Sequence, residues 1–376
     1  MSLSDALSRL ATSEPVQHLT HVQRRSLVAE QTEGGEGEWI DMPDPRACRI
    51  EFNETTRPYA TVTLTWAAAD WDQWANIDPR NIEGRPRLRI SCGYHWPITA
   101  TKITEQTALV VLTRIESDES GTVTVTAESD EILLENDTVR PGRSYEVAAN
   151  DSDIAAIWTA ARDACLCLWN IDIHQHDAID PELLDGVRAL DLTQGDNFAD
   201  FLWALADTAG LWLHSDQSPT SEGGLVAVAR QDITTPVLDL STESTHPLLL
   251  RRARRVSLDE YASAVDLTVR WTEDDKEQQL TRRFVARGAM PHVVTKDLRL
   301  RPPSFGGVRT LPPDWPPGIA LVDRMSMRGE VETIEARSCY WLRPRDTIRT
   351  DSGRLLVRSI AFDTTTGLMN ITARPY

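Results

Sequence analysis

Hydrophobic and polar positions follow the same pattern in two parts of the chain, about 250 residues apart. Residues Leu109–Ala127 read LVVLTRIESDESGTVTVTA, and residues Leu355–Ala373 read LLVRSIAFDTTTGLMNITA. At a constant offset of 246 residues the first residues of the two copies align, and Gly121 matches Gly367. Each copy has an apolar strand, a polar turn that ends in glycine, and a strand with alternating apolar residues. The pattern predicts two β-hairpins.

A second similarity precedes each hairpin. Residues Tyr59–Trp66 (YATVTLTW) resemble Tyr261–Trp271 (YASAVDLTVRW), and the two elements have the same order in both halves. For one match alone, coincidence is a fair alternative, because hairpins converge on such patterns. Two matches in the same order favour a duplicated β-domain. They predict that Trp39–Ala148 and Arg254–Tyr376 share one topology.

Between these β-rich parts the apolar period changes from that of strands to that of helices. Residues 151–168 place their apolar side chains on one helical face, with Asp151 or Ser152 as the N-cap. Residues Asp196–Ala209 form the clearest amphipathic pattern, and Gly210 follows as a stop signal. Two strand-like segments come next. The sequence therefore predicts a small α/β domain between two β-domains.

The predicted fold is mainly β with an α+β insertion. Its boundaries are an N-terminal arm at 1–36, a first β-domain at 37–148, the inserted α/β domain at 149–245 and a second β-domain at 246–376. The β-domains have the short, punctuated strands of a small barrel or sandwich. A proline-rich excursion at 301–329 interrupts the second β-domain, since prolines exclude regular sheet there, and its residues Ile319–Arg328 are helix-like.

Composition indicates a globular protein that folds in a reducing compartment. The chain has 376 residues and is 41% hydrophobic, which suits two or three domains with real cores. No apolar run approaches the ~18 residues of a membrane span, and the N-terminus does not resemble a secretory signal. The five cysteines are odd in number and irregularly spaced, which argues against a disulfide framework. We therefore expect folding in a cytoplasm.

The formal net charge is −18, which argues against nucleic-acid binding through neutralised phosphates. One basic cluster, Arg251–Arg255, stands out against this background. It could form a nucleic-acid patch. Charge runs at strand starts are more often solvated or paired with acidic side chains of a neighbour, and we favour that interpretation.

The best candidate metal site is the segment containing His174, His176 and Asp177. Alternate residues of a strand put both imidazoles on one face, as a metal would need. A third ligand is not evident nearby, and a polar strand exit explains the pattern equally well. The sequence therefore predicts no metal and no other cofactor.

Other chemistry-bearing side chains have structural explanations. The carboxylate pairs Asp118/Glu119 and Asp274/Asp275 fall in predicted hairpin turns, where aspartate is an ordinary turn former. Phosphate-loop, dinucleotide, nucleophile-elbow and metalloprotease motifs do not occur. We therefore predict no catalytic residues. Two thiols that we expect to be buried and two histidines that point to opposite strand faces also have structural explanations: Cys165 and Cys167, and His18 and His21.

The order of β-domain, α/β insertion and second β-domain with a proline-rich excursion resembles the tail-hub proteins of tailed bacteriophages. The hub part of type VI secretion spike proteins is similar. The most specific local resemblance is residues Tyr340–Tyr376, which are similar to the C-terminal strand–strand–hairpin unit of hub and minor tail proteins from siphophages of actinobacteria. Residues Arg85–Asn136 resemble the first hub domain, and Asp191–Asp216 resemble the central segment. The arm at 1–36 has no counterpart.

The resemblance implies two related tail-tube-like β-barrels flanking the α/β domain. Hub proteins of this kind are homotrimers, in which six barrels surround one axis and adapt a hexameric tail tube to a three-fold tip. The implied partners are a distal tail or tail tube protein on one side and tip, spike or receptor-binding proteins on the other, with a tape measure protein in the lumen. DNA is expected only in transit. The implied location is the tail tip of the virion, assembled in the host cytoplasm.

The acidic composition fits a conduit, because carboxylates repel phosphates of like sign. We expect a disproportionate share of the 57 acidic side chains to face the ring axis, and Arg251–Arg255 to face a neighbouring chain. Two other functions stay open. One is a tail-associated cell-wall-degrading enzyme, for which we expect no additional domain in this chain. The other is a carbohydrate-binding adhesin, which the 12 tryptophans suggest only weakly because they are spread along the chain.

Overall fold

The structure is a computed structural model. It describes the following residues: 6–12, 14–27, 38–72, 86–147, 153–169, 171–175, 191–209, 211–229, 235–244, 248–256, 261–273, 276–286, 295–299, 311, 313, 316–326 and 330–375.

Most elements of these ranges are strands. The strands are β1 Gln17–Ser26, β2 Ile40–Asp41, β3 Ala47–Asn53, β4 Ala60–Ala67, β5 Pro86–Trp96, β6 Thr101–Ser117, β7 Thr122–Glu128, β8 Tyr145–Glu146, β9 Ile173–Gln175, β10 Asp191–Leu192, β11 Leu211–Ser215, β12 Leu225–Ala229, β13 Leu238–Asp239, β14 Leu249–Val256, β15 Ala264–Glu273, β16 Lys276–Val285, β17 Thr295–Arg299, β18 Glu330–Arg337, β19 Thr347–Thr350, β20 Gly353–Asp363 and β21 Leu368–Pro375. The helices are α1 Leu7–Leu10, α2 Ala68–Asp72, α3 Glu131–Glu135, α4 Ile154–Cys165, α5 Phe198–Thr208 and α6 Pro316–Ser326.

One 13-stranded sheet dominates the molecule. Its main path runs β14-β18-β21-β20-β3-β4-β7-β6-β5-β1-β2, and β13 and β19 attach beside β20. All pairs along the path are antiparallel. Alternate side chains such as Ile50, Leu64 and Ile371 point to one face and are fully buried in the main core. The prediction of a mainly β fold is confirmed.

The sequence predicts two separate barrels, but the structure contains one sheet that both halves of the chain share. Strand β20 of the C-terminal half pairs with β3 of the N-terminal half, from Ser359 opposite Asn53 to Asp363 opposite Arg49. Strands of both halves therefore share one open sheet, and the described strands close no barrel. Local sequence patterns specify each hairpin. They do not specify that the edge strands of two hairpins about 300 residues apart pair with each other.

Both segments of the repeated pattern form β-hairpins, β6-β7 and β20-β21. Each hairpin has a bulge at an equivalent place, between Leu112 and Arg114 in the first and between Val357 and Ser359 in the second. The two bulges, and with them the first strands of the two hairpins, are 245 residues apart. The second strands, β7 and β21, are 246 residues apart, because the turn of β20-β21 has one more residue than the turn of β6-β7. The constant offset predicted from sequence is therefore wrong for the first strand of each hairpin.

The second sequence similarity does not correspond to equivalent strands. The hairpin β6-β7 pairs through β7 with β4, which contains most of Tyr59–Trp66. The hairpin β20-β21 pairs through β21 with β18, and not with the strand that contains Tyr261–Trp271. That strand is β15, the centre of a separate three-stranded sheet with β16 and β17. Its apolar side chains pack with α6 into a small core of their own.

The N-terminal segment is built into the main sheet. All ten residues of β1 pair with β5, from Gln17 opposite His95 to Ser26 opposite Pro86. Helix α1 adds Leu10 to the main core, and the Arg337 guanidinium donates a hydrogen bond to the Leu10 carbonyl oxygen at 2.7 Å. Residues 6–12 and 14–27 therefore do not form the separate arm that the sequence predicted.

The α/β insertion has the helices that its periodicity predicts. Helix α4 is capped by Asp153, whose carboxylate accepts the Ala155 amide at 2.7 Å, so the cap is neither Asp151 nor Ser152. Helix α5 is capped by Asn197. The second core contains both helices and the β11-β12-β9 sheet, and it also includes Leu133 and Leu134 of α3. Of the proline-rich excursion the structure describes mainly α6, which begins before Ile319 and ends before Arg328.

Candidate assembly surfaces

The polar side of the main sheet is a large, half-exposed feature of the described structure. On six neighbouring strands, β18, β21, β20, β3, β4 and β7, every second side chain points away from the main core. We call this surface the threonine face, because threonines provide most of its side chains on β4 and β7, and β18 and β21 contribute one each: Thr61, Thr63, Thr65, Thr122, Thr124, Thr126, Thr333 and Thr372. In the sequence segments TVTLT and TVTVT, polar threonines alternate with apolar residues, and the threonines lie on this face.

The threonine face carries charges of both signs, and its central arginines are paired. Arg374 of β21 lies on the same side of the sheet, as do Arg251 and Arg255 of the adjoining β14. Arg49 lies 2.5 Å from Glu51 on β3. Arg114, at the adjoining end of β6, lies 2.6 Å from Glu116. The cross-strand neighbours of these pairs are threonines, for example Thr63 beside Arg49 and Thr126 beside Arg114. Further carboxylates on this face include Glu128, Glu335 and Asp363.

On the neighbouring strands the same side of the sheet is covered by the insertion. Val111 of β6 and Leu27, which follows β1, belong to the core of the insertion. The buried Asp130 carboxylate forms an ion pair with Arg87 of β5 and accepts the Gly224 amide at 2.7 Å. Gly223 has a φ of +120°, and a Cβ there would lie 2.8 Å from the Arg87 guanidinium. This close approach requires glycine.

Further hydrogen bonds attach the loop Ser215–Gly224 to the sheet. The Gln217 amide group accepts the Leu109 N–H at 2.7 Å and donates to the Leu109 carbonyl oxygen at 2.8 Å, as a neighbouring strand would. Arg25 and Arg89 donate to the Glu222 carboxylate at 2.9 and 2.6 Å. These buried and half-buried contacts hold the insertion in one orientation on the sheet.

A buried carboxylate lies at the centre of this contact. Glu131 is 1% exposed, and its Oε1 accepts the Ser215 amide at 2.7 Å. Its Oε2 has no hydrogen-bond partner among the described residues. Burial raises the pKa of Glu131 to about 7, and the neighbouring Asp130 adds to this, while bonds from Ser129, Ser215 and its own amide oppose it. Glu131 therefore titrates near neutral pH.

The basic cluster Arg251–Arg255 lies on β14, at one end of the sheet path. Strand β14 pairs with β18 on one side, and the described strands contain no partner for its other edge. All five cluster residues are exposed. Arg254 lies 2.5 Å from Glu330, and Arg252 lies 3.6 Å from Asp351. Some of these charges are thus paired with acidic side chains of the same chain, on a strand edge that is open.

The opposite end of the sheet is also largely open, and it is acidic. Strand β2 pairs with Gln23 and Arg24 of β1, and the Met42 amide donates to the Val22 carbonyl oxygen, so residues 17–21 of β1 have a free edge among the described strands. Asp41 and Asp44 lie beside this edge, with side chains that are 70% and 78% exposed, each close to His21. The exposed carboxylates beside this edge contrast with the exposed arginines of β14 at the other end of the sheet.

The candidate metal residues are not assembled into a site in the described structure. His174 lies on β9 at the mouth of a cavity of about 550 Å³ that Asp153, Gln175 and Asp216 also line. Asp153 caps α4, and Asp216 accepts the Ser218 amide. His176 and Asp177 lie outside the described residues, and the described ranges contain no cluster of three metal-binding side chains.

Other residues considered in the sequence also have structural roles. Asp118 closes the β6-β7 turn by accepting the Ser120 and Thr122 amides, and Asp274 and Asp275 lie outside the described residues, between β15 and β16. Cys167 donates to Asp137. His18 contacts the Tyr340 hydroxyl at 2.8 Å, and burial lowers its pKa to about 4. Cys165 is buried and His21 points to the opposite side of β1 from His18.

The described tryptophans do not form an exposed platform. Trp66, Trp96 and Trp158 are fully buried, and no tryptophan is among the exposed large hydrophobic residues of the described ranges. No helix in the described part of the chain is long and apolar enough to cross a membrane.

Comparison with known proteins gives matches in structure only. No protein family matches the sequence, and no curated protein matches it either. The fold is similar to the tail protein from Neisseria meningitidis MC58, with a TM-score of 0.57 and 10% sequence identity, covering 95% of this chain and 96% of that one.

Two further structures are similar. The 43 kDa tail protein of prophage MuSo2 from Shewanella oneidensis has a TM-score of 0.54 and 12% identity, covering 94% of this chain and 98% of that one. A chain of the Francisella PdpA-VgrG complex has a TM-score of 0.57 and 10% identity; 99% of this chain matches 60% of that one. The resemblance to tail-hub and spike proteins that the sequence indicated is confirmed at the level of the fold.

Proposed function

We propose that this chain is a structural hub protein of a phage-type tail tip. Three copies would form a ring that adapts a hexameric tail tube to a three-fold tip and lines the DNA conduit. The observation that carries the proposal is the fold agreement with two tail proteins over 94–95% of the chain, which includes both halves and the insertion. Because sequence identity is only 10–12%, further support for this function has to come from the residues of this chain.

The two ends of the main sheet support head-to-tail assembly. An open strand edge is a template for pairing with another chain unless something covers it. One edge carries the exposed arginines of β14 and the other lies beside Asp41 and Asp44, so an end of one copy is complementary in charge to the other end of the next. Contacts between two different surfaces close into a ring when the rotation between copies is suitable.

The repeated hairpin supports a change from six-fold to three-fold symmetry. Each chain contributes two antiparallel hairpins with a bulge at the same place, and both lie in one sheet. Three chains therefore present six such hairpins around an axis. We propose a distal tail or tail tube protein on one side of this ring and tip, spike or receptor-binding proteins on the other, with a tape measure protein in the lumen during assembly.

The proposed role is structural and not catalytic. Among the described residues, the Asp118 carboxylate stabilises the predicted β6-β7 turn. The tryptophans of the described ranges pack in or against the hydrophobic cores. No specific observation favours a cell-wall-degrading enzyme or a carbohydrate-binding adhesin. The proposed place of action is the tail tip of the virion.

We predict that the purified protein forms a trimer. Its mass in solution should be about 126 kDa, three times the chain mass of 42.1 kDa. Light scattering after size-exclusion chromatography, over a wide range of protein concentration, measures this mass. A protein that stays monomeric at the highest concentration, or that forms a stable hexamer, contradicts the trimeric ring.

Charge reversal on β14 should weaken this assembly. In the double variant Arg251→Glu and Arg255→Glu, the basic edge would meet the acidic edge of the next copy with like charges. We expect the dissociation constant of the trimer to rise by about tenfold or more, because like charges across an interface cost several kcal/mol. Arg140→Glu with Arg143→Glu, in the exposed loop after α3, gives the same change in charge and should leave the trimer intact. Equal effects of the two variants would contradict pairing through β14.

A further inference from the structure

Two buried thiols contact each other inside the main core. Cys48 on β3 and Cys92 on β5 are 1% and 0% exposed, and a hydrogen bond joins their side chains. Three strands, β4, β7 and β6, separate β3 from β5 along the sheet path. The two sulfurs meet because the sheet curls around its core, so this contact is a product of the tertiary structure.

Strand β1 covers the thiol pair and contacts both of its members. Thr20 of β1 lies directly opposite Cys92, and its hydroxyl donates to the Thr364 hydroxyl at 3.0 Å. The Thr364 amide donates to the Cys48 carbonyl oxygen at 3.0 Å. The Thr20 side chain also bonds to the Cys48 side chain. These contacts place Cys48 and Cys92 beside the same residue of β1.

The thiol pair differs from the other cysteines in what it contacts. A buried cysteine usually packs as a small hydrophobic residue with a weak S–H donor. The Cys167 thiol donates to the Asp137 carboxylate, and the Cys339 thiol donates to a backbone carbonyl oxygen at 3.7 Å. Cys48 and Cys92 instead contact each other, and a thiol beside another thiol is the arrangement from which a disulfide forms.

We propose that Cys48 and Cys92 are a disulfide-forming pair, which stays reduced during folding and is oxidised by a small disulfide, such as oxidised glutathione, when β1 opens. The thiolate of one cysteine attacks oxidised glutathione, forms a mixed disulfide and releases one glutathione thiolate. The thiolate of the other cysteine then displaces the second glutathione. The two protein thiols lose two protons and two electrons in total, and one oxidised glutathione becomes two glutathione molecules. The new bond ties β3 to β5 across the core.

The closed core controls when this reaction can occur. The hydrogen bond with Cys92 and burial raise the pKa of the Cys48 thiol, and the thiolate is the form that reacts. Strand β1 lies near one end of the sheet path, where its residues 17–21 have a free edge among the described strands. Local opening costs less free energy at such a strand than in a central one. The inference concerns the fold of a single chain and does not rest on the proposed ring.

Peptide mapping by mass spectrometry tests the assignment in the wild-type protein. The whole protein is incubated with oxidised glutathione in native buffer, its remaining thiols are blocked with iodoacetamide in denaturant, and the digest is analysed without reduction. We expect one dominant linked peptide, which joins Cys48 to Cys92. In Cys92→Ala this linkage should be lost, and Cys48 should be recovered in an unlinked peptide. The same linkage should form in Cys165→Ala, which removes another buried thiol and serves as the control.

A second pair of variants tests the role of β1. Thr20→Ala removes the hydroxyl that bonds to Thr364, so the linkage should form about fivefold faster, as expected for the loss of one hydrogen bond. Thr63→Ala, on β4 and facing away from the core, should leave the rate unchanged. Equal rates for these two variants would overturn the control by β1.

Two outcomes would overturn the disulfide-forming pair itself. One is an absence of the linkage in both wild type and Thr20→Ala after prolonged oxidation. The other is a linkage of Cys48 to Cys339 in place of Cys92. Because the wild-type digest alone distinguishes these results from the expected one, the assignment is decided even if a variant does not fold.

Discussion

Replacing Asp130 by alanine should lower the free energy of unfolding by about 3–5 kcal/mol, the usual cost of removing one partner from a buried ion pair. The variant would leave the Arg87 guanidinium buried, since Arg87 is only 5% exposed, without its carboxylate. It would also leave the Gly224 amide without its acceptor. Both losses fall at the contact between the insertion and the main sheet, so the insertion should be destabilised first.

Urea denaturation followed by tryptophan fluorescence measures this loss. Trp158 lies in the core of the insertion and Trp66 in the main core, so tryptophan signals report on both. Glu51→Ala breaks the exposed ion pair with Arg49 and serves as the matched control, with an expected loss below about 1 kcal/mol. A loss for Asp130→Ala as small as that of the control would mean that the ion pair does not hold the insertion in place.

The second large effect is a pH dependence that originates at Glu131. Because burial raises its folded pKa from 4.5 to about 7, the fold favours the protonated carboxyl. Stability from this group is fully present below pH 4.5 and is lost as the pH rises through 7. The loss amounts to about 3 kcal/mol at pH 8, taking ~1.4 kcal/mol for each unit of pKa.

Glu131→Gln should remove this dependence. The glutamine amide oxygen can still accept the Ser215 N–H, and the side chain carries no charge at any pH. We expect the variant to match wild type near pH 4.5 and to exceed it by up to about 3 kcal/mol at pH 8. The difference between the stability–pH curves of variant and wild type cancels the titration of other groups. Asp346 is one of these groups, because burial raises its pKa to about 6. Glu116→Gln, at an exposed ion pair, should change stability by less than about 0.5 kcal/mol at both pH values. A pH-independent difference between Glu131→Gln and wild type would contradict the predicted titration.

The chemistry of the assembly surfaces was only partly visible in the sequence. The run Arg251–Arg255 is evident there, but that β14 ends the sheet path and keeps a free edge depends on which strands pair. Likewise, alternate threonines in β4 and β7 indicate a polar strand face. Whether another element covers such a face is decided by the packing of distant segments. Asp130 is the clearest example, because the sequence shows only an aspartate before α3, whereas in the structure it binds Arg87 and the Gly224 amide.

The sequence by itself determined the local elements: the hairpins β6-β7 and β20-β21, and the amphipathic helices α4 and α5. Short-range signals suffice there, since turn glycines and apolar periodicity act within about 20 residues. Only the tertiary structure decided that β20 pairs with β3, that β18 and not Tyr261–Trp271 adjoins the second hairpin, and that both halves share one open sheet. Strand edges offer the same backbone donors and acceptors whatever their side chains. Which edges meet therefore depends on how the whole chain buries its apolar faces.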